Sequence, residues 1–235
     1  PLQLYLSGKN GGFVSGTVIG NPLFILIVFV VFVITAALPL SAIWINPSGM
    51  IVGHENGDVF KRLWTFWRII EEDNSIGYPW TTLLNAPTGG LLLDVHTLPA
   101  LLMLPITWLL GPTVSLNLWV WISLVLIGWT VFGLLKELKL PTNAALPVAA
   151  LCQIQPFLWG YPLASGVHER LGVWIVPLTL LCLLKRKESK DLKWAFLGGI
   201  GLAWSAFCTP SYAVFTGMIT LFGLLIIKSQ RAWMT

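Results

Sequence analysis

In 235 residues the chain has 56% apolar side chains, 13 tryptophans and only 10% Asp, Glu, Lys and Arg, with a mean hydropathy of +0.79. An ordinary soluble domain carries about a quarter charged residues, so this balance excludes one and marks an all-α integral membrane protein. The formal charge of +4 is small and scattered, which excludes a nucleic-acid partner and leaves its placement as a guide to topology. Cys152, Cys182 and Cys208 lie inside apolar runs without CxxC or Cys/His spacing. They read as small buried hydrophobes, with no disulfide framework and no zinc site. Because the chain opens on Pro1 and not on Met, a processed or missing beginning is expected.

Residues 1–21 are Gly/Ser-rich with a single Lys9 and read as a weakly ordered cytoplasmic lead-in. From Pro22 to Trp44 runs an apolar stretch long enough, at 1.5 Å per residue, to cross a bilayer core of about 30 Å. It is too long for a signal-peptide core of about 7–15 residues. Asn46-Pro47-Ser48-Gly49 then supplies turn chemistry.

The interval from Gly53 to His96 is the most polar part of the chain, with six of its ten acidic residues and two of its three histidines. After Asp58 an amphipathic juxtamembrane helix is expected, with Val59, Phe60, Leu63, Trp64, Phe66, Trp67 and Ile70 on one side. Lys61, Thr65, Arg68 and Glu72 line the other side. Two Trp on the apolar side suit the headgroup layer. Asp58, preceded by Asn56-Gly57, reads either as the N-cap of this helix or as a group with a chemical role.

Residues 97–111 are apolar but short and carry Pro99 and Pro105. Spans are then expected at Thr113–Leu135, about Thr142–Gly160, Leu171–Leu184, Trp194–Cys208 and Tyr212–Ile227. Charge decides what 97–111 does. If it stays in the interface, the basic clusters at 136–139, 185–193 and 228–231 share a side with Lys9, ten Lys/Arg against three acids. The other side then holds four Lys/Arg against seven acids. If 97–111 crosses, two of those clusters move outside, against the positive-inside rule. The expectation is therefore six transmembrane helices plus one re-entrant or interfacial helix, with 22–235 a single membrane domain and 46–111 a large extracytoplasmic loop. A hairpin through 97–111 is the alternative.

In this topology three acid/His pairs land outside: His54-Glu55, Asp94-Val95-His96 and His168-Glu169. They are either a site or ordinary solvated loop residues. No HExxH, P-loop, GxSxG or EF-hand spacing occurs. No expected span carries an ionisable residue at its middle and no inverted repeat is visible, which argues against a transporter.

The stretches GDVFKRLWTFW (57–67), NAPTGGLLLDVHTLPALL (85–102), LLGPTVSLNLW (109–119) and SGVHERLGVWIVP (165–177) together resemble the N-terminal module of C-type (GT-C) glycosyltransferases. Bacterial membrane proteins with a GD…W…W first outer loop are the most similar. Protein O-mannosyltransferases, oligosaccharyltransferases and aminoarabinose transferases are more distant. The resemblance covers roughly residues 22–228. It implies a polyprenyl-phosphate-linked sugar as donor, transfer to an acceptor outside the cytoplasm, and a bacterial inner-membrane location.

By the same resemblance Asp58 takes the place of the acidic residue that orients or deprotonates the acceptor. The family's second acidic motif, Asp-x-Glu in oligosaccharyltransferases, falls at Gly166-Val167-His168-Glu169-Arg170. Here His168 replaces an acid and Glu169 sits next to it, a departure from the family's Asp-x-Glu pattern. If a divalent metal takes part, His54, Glu55 and His168 are its expected ligands. Arg170 can instead meet the lipid phosphate. His168, Glu169, Arg170, Arg62, Arg68, Asp94 and His96 are the expected substrate-binding residues. The apolar run Leu98–Leu110 with Trp108 is a shelf for the polyprenyl tail, or plain lipid-facing filler. Family enzymes carry more spans than this chain, so the alternative function is a non-catalytic accessory subunit that keeps the scaffold within a larger membrane complex. On either reading the last two spans, rich in Gly198, Gly199, Gly201 and Gly217, are expected to pack against further helices or subunits.

Overall fold

The computed structural model describes residues 21–55, 57–72, 80–81, 88, 90–91, 97–189, 191–208 and 210–232, the last seven as backbone alone. Among them the fold is helical apart from β1 (Trp80–Thr81) and β2 (Gly90–Leu91), an antiparallel pair with Trp80 opposite Leu91. The expected lead-in therefore lies outside the described residues.

Helix α1 (Pro22–Ala37) starts where Asn21 accepts a hydrogen bond from the Leu23 N–H at 2.9 Å, with Pro22 in the first turn. Pro39 has no N–H to continue the ladder, so 38–40 tightens into a 3-10 turn before α2 (Ser41–Ile45). Val28, Phe32 and Ala36 face inward at helical spacing, while Leu23, Leu26, Ile27 and Ile34 are exposed. The two segments make one apolar rod of 24 residues, Pro22–Ile45. With Pro112–Glu137, 26 residues, it is one of two described helices long and apolar enough to cross a membrane.

Pro112–Glu137, here α6, is the axis of the fold, and α1, α3 (Val59–Glu71), α5 (Leu104–Leu110), α7 (Thr142–Gln153) and α9 (Ile175–Ser189) all pack on it. Between α3 and α6 the run 97–111 folds as two short helices, α4 (Thr97–Leu102) and α5, parted at Met103 ahead of Pro105. At 1.5 Å per residue neither exceeds about 11 Å, too short to cross a bilayer core. Both lie against α3 and α6.

The expected span at 142–160 is broken. After α7 the chain turns at Ile154-Gln155 and resumes in α8 (Pro156–Leu158) and a π-turn over Trp159–Leu163. Buried Gln153 holds the break: its Nε2 donates to Phe32 O at 3.1 Å and to Leu124 O at 3.0 Å, tying α7 to the middles of α1 and α6. The expected span at 171–184 likewise opens as a 3-10 stretch, His168–Trp174, before α9.

Helices α10 (Leu192–Cys208) and α11 (Pro210–Ala232) complete the bundle on α9. At 23 residues α11 outruns its expected 212–227 boundary through the polar 228–232 turns, while its apolar part, Pro210–Leu225, stays short. Of the four glycines singled out in these two helices, Gly198 and Gly201 pack within the bundle, where an added Cβ would meet Cys182 and Leu178 of α9, and Gly199 and Gly217 face open space. All three cysteines are free.

Two apolar cores result. The larger joins α1, α6, α7 and α9, and the smaller lies under α3 around Phe66, Met103, Leu116 and Trp119. Trp204 of α10 packs against both, with its ring 5.7 Å from Trp119 and 6.0 Å from Trp174.

Candidate functional site

The site forms where three turns meet at one end of the bundle. The His54 N–H donates to Ala164 O at 2.7 Å and the Asp58 N–H to Ser165 O at 2.9 Å. These bonds seat the loop before α3 on the loop before the 3-10 stretch. Gly166 makes the approach possible: its φ is +68°, and a Cβ there would stand 2.5 Å from Val59 N. A left-handed backbone in such contact leaves room for no side chain. The third turn is pinned by Arg170, whose Nη1 donates to Ser211 Oγ at 2.7 Å and whose carbonyl accepts from Tyr212 OH at 3.0 Å.

Asp58 stands at the N-cap position of α3, but its carboxylate makes no capping hydrogen bond. The side chain is 55% exposed, and Oδ2 lies 3.8 Å from Arg62 Nη2 one turn on. Arg62 is buried and donates through Nη2 to Glu169 Oε1 at 2.8 Å. So one guanidinium faces two carboxylates from separate loops. Glu169, partly buried, gains the shorter bond; Asp58 keeps its oxygens toward solvent.

The burial of α3 cuts across its expected apolar and polar sides. Its buried residues are Val59, Arg62, Thr65, Phe66, Arg68 and Ile69, while Phe60 (56% exposed) and Trp67 (37%) face outward. The helix turns its arginines inward because carboxylates wait there: Glu169 for Arg62 and Glu72 for Arg68. A buried charge left without a partner costs far more than one that is paired.

Arg68 nevertheless belongs to a different cluster. Its Nη1 donates to Glu72 Oε2 at 3.3 Å, its guanidinium lies 5.9 Å from the Trp64 ring centre, and Glu72 accepts from Thr81 Oγ1 at 2.9 Å. Ten residues along a helix place it about 15 Å from Asp58. It anchors the β1–β2 segment and is not part of the Asp58 site.

His168 is buried, at 1% exposure, so it is no solvated loop residue. His54 and Glu55 are exposed. Among the described residues no three His, Cys, Asp or Glu side chains come together as a metal-ligand set. The expected trio of His54, Glu55 and His168 therefore does not fit a metal: two solvent-facing groups and one core histidine do not converge. Asp94 and His96 lie outside the described residues.

No family model, curated protein or solved structure matches this chain. What the site can do rests on its own geometry. Asp58 can accept a hydrogen bond or a proton from a hydroxyl brought in from water, and Arg62 and Arg170 supply positive charge at the same end. Ser211 and Tyr212, which complete the third turn, were not singled out in the sequence. The one signal for them was a polar Ser-Tyr pair directly after Pro210 between two apolar runs.

Proposed function

We propose that the chain is a glycosyltransferase-like integral membrane protein of six spans, with the Asp58 end outside the cytoplasm. The spans are Pro22–Ile45, α6, the broken 142–163 segment, α9 with its 3-10 lead, α10 and α11. Support comes from the two ends of the bundle. One gathers the turns around Asp58, Glu169 and Ser211; the other joins the basic turns through Lys185 to Glu137 and Lys139 to Glu188. Positive charge favours the cytoplasmic side, as in a bacterial inner membrane. Broad apolar exposure on α1, α10 and α11 suits lipid as the surrounding solvent.

The reading of transfer rests on one observation: a half-exposed Asp58 carboxylate, free of capping, 3.8 Å from a buried arginine. In transfer the acceptor oxygen attacks the anomeric carbon of a polyprenyl-phosphate sugar. The bond from that carbon to the phosphate oxygen breaks, its electron pair leaves with the phosphate, and the acceptor proton passes to Asp58. General-base assistance contributes about 10²–10⁴-fold, and cationic groups near the departing phosphate lower the barrier further. Arg62 and Arg170 are the cations nearest the Asp58 and Glu169 turns. The exposed Trp108, Leu109 and Leu110 of α5 give the polyprenyl tail an apolar shelf.

Transfer of labelled sugar from polyprenyl-phosphate donors, in membranes carrying the chain, tests this. Asp58→Asn should abolish transfer without lowering the folded level, because no capping bond is lost and Asn caps as well as Asp. Full activity in Asp58→Asn would remove Asp58 from the chemistry. Absence of transfer by the unmutated chain within its native membrane assembly would favour the accessory-subunit reading.

A further inference from the structure

The end of the bundle opposite Asp58 carries more positive charge than the fold consumes. Lys136 is engaged internally, its Nζ donating to Leu140 O at 2.9 Å and Thr142 Oγ1 at 3.1 Å. Lys185 meets the buried carboxylate of Glu137, and Lys193 pairs with Asp191 at 2.8 Å. Lys139 reaches Glu188 only at 3.8 Å, and both are largely exposed. Lys187 is exposed and forms no ion pair among the described residues. Arg186 is half-buried and likewise forms no ion pair among the described residues.

Lys139 is unusual in its backbone. It is the non-glycine residue with positive φ among those described, at 66°. It closes α6, where the Leu140 N–H reaches back to Leu135 O at 3.1 Å. Glycine is the ordinary occupant of such a position, since a side chain there strains the backbone. A lysine at that strained place, with its side chain exposed, points to a use for its charge. The same turns also expose apolar groups: Leu138 (52%) precedes Lys139, and Leu192 (74%) precedes Lys193. Apolar and basic side chains alternate at one level, as they would where acyl chains give way to headgroups.

We infer that this end binds the phosphate headgroups of anionic phospholipids, with Lys139 and Arg186 as the selecting cations and Leu138 and Leu192 in the acyl layer. A free phosphate would satisfy the cations and leave the two leucines in water, so the apolar neighbours favour a lipid. The inference rests on the membrane reading above and is independent of glycosyl transfer.

Purified full-length chain is placed in nanodiscs of mixed phosphatidylcholine and phosphatidylglycerol, and retained lipids are counted by native mass spectrometry. The unmutated chain should retain phosphatidylglycerol in preference. Lys139→Gly and Arg186→Gln should each lower that preference about fivefold, the worth of one basic side chain near an anionic surface. Lys139→Gly also relieves the left-handed backbone, so its melting temperature in neutral detergent should hold or rise, which separates lost binding from lost folding. An unchanged lipid ratio in both variants overturns the inference. So does a rise in melting temperature with inorganic phosphate in detergent that Arg186→Gln abolishes, because the ligand is then a free anion. A chain that stays outside the bilayer refutes the membrane reading and the lipid site together; one that inserts with equal lipid ratios refutes the lipid site alone.

Discussion

Arg62 and Glu169 are 107 positions apart in the chain and meet at 2.8 Å, with Arg62 4% and Glu169 15% exposed. The pair joins the helix after the first polar loop to the 3-10 stretch before α9. It also accounts for the way α3 lies, since without Glu169 the Arg62 face would have no reason to be inside. An unpaired arginine there would be costly.

Removing one partner should therefore hurt more than removing both. Arg62→Met leaves Glu169 with its charge buried, and loss of one member of a buried pair costs about 3–5 kcal/mol. The double variant Arg62→Met/Glu169→Met should recover part of that loss. Thermal unfolding of the four proteins in one detergent gives the coupling. Additive losses would mean the pair contributes nothing as a pair.

Gly166 and Gly111 both have positive φ, but they differ in surroundings. A Cβ on Gly166 would press on the Val59 backbone, whereas one on Gly111 meets nothing within 4 Å. At φ +86° and ψ 166° Gly111 lies in a backbone region essentially restricted to glycine, so Gly111→Ala should cost about 1–3 kcal/mol from strain alone. Gly166→Ala should cost clearly more and also part the Asp58 loop from the 164–166 loop. Equal melting temperatures for the two variants would show that the close approach of Gly166 to Val59 does not matter.

The break after α7 depends on space at Gly128. An added Cβ there would stand 2.7 Å from Gln153 Cδ and 2.8 Å from Phe32 Cδ1. Gly128→Ala should destabilise by about 1–3 kcal/mol through overpacking. Combined with Gln153→Ala, which vacates the contact, it should cost less than the sum of the two singles. Strict additivity would place Gln153 away from that glycine.

Topology is checked by impermeant thiol labelling with the native cysteines replaced. A cysteine at exposed Glu55 should react from outside and one at exposed Ser189 should not. Reaction at position 189 from outside would overturn the six-span arrangement and the placing of the lipid site.

Much was legible in the residues alone. Composition called for helices, and runs of apolar residues between Asn21-Pro22, Gly111-Pro112 and Pro210 located α1, α6 and α11, because capping groups and prolines act within a turn of where they stand. The short, proline-bearing 97–111 run was expected from the charge balance to stay in the interface, and it folds as the two short helices α4 and α5. Proximity across the fold was not legible. Hydrophobic periodicity divided α3 into an apolar and a polar side, and the packing buries residues of both: Thr65 and Arg68 lie inside with Phe66, while Phe60 and Trp67 face outward. That scale takes water as the surroundings and counts no partner, whereas Arg62 finds its carboxylate 107 positions away and Arg68 finds Glu72 beneath the same helix. The same holds for the site: the acids and bases were visible one by one. Only the tertiary structure decided that Asp58, Arg62 and Glu169 share one place, that Arg68 stands elsewhere, and that His168 lies in the core, because those outcomes depend on which distant groups meet once the helices are packed.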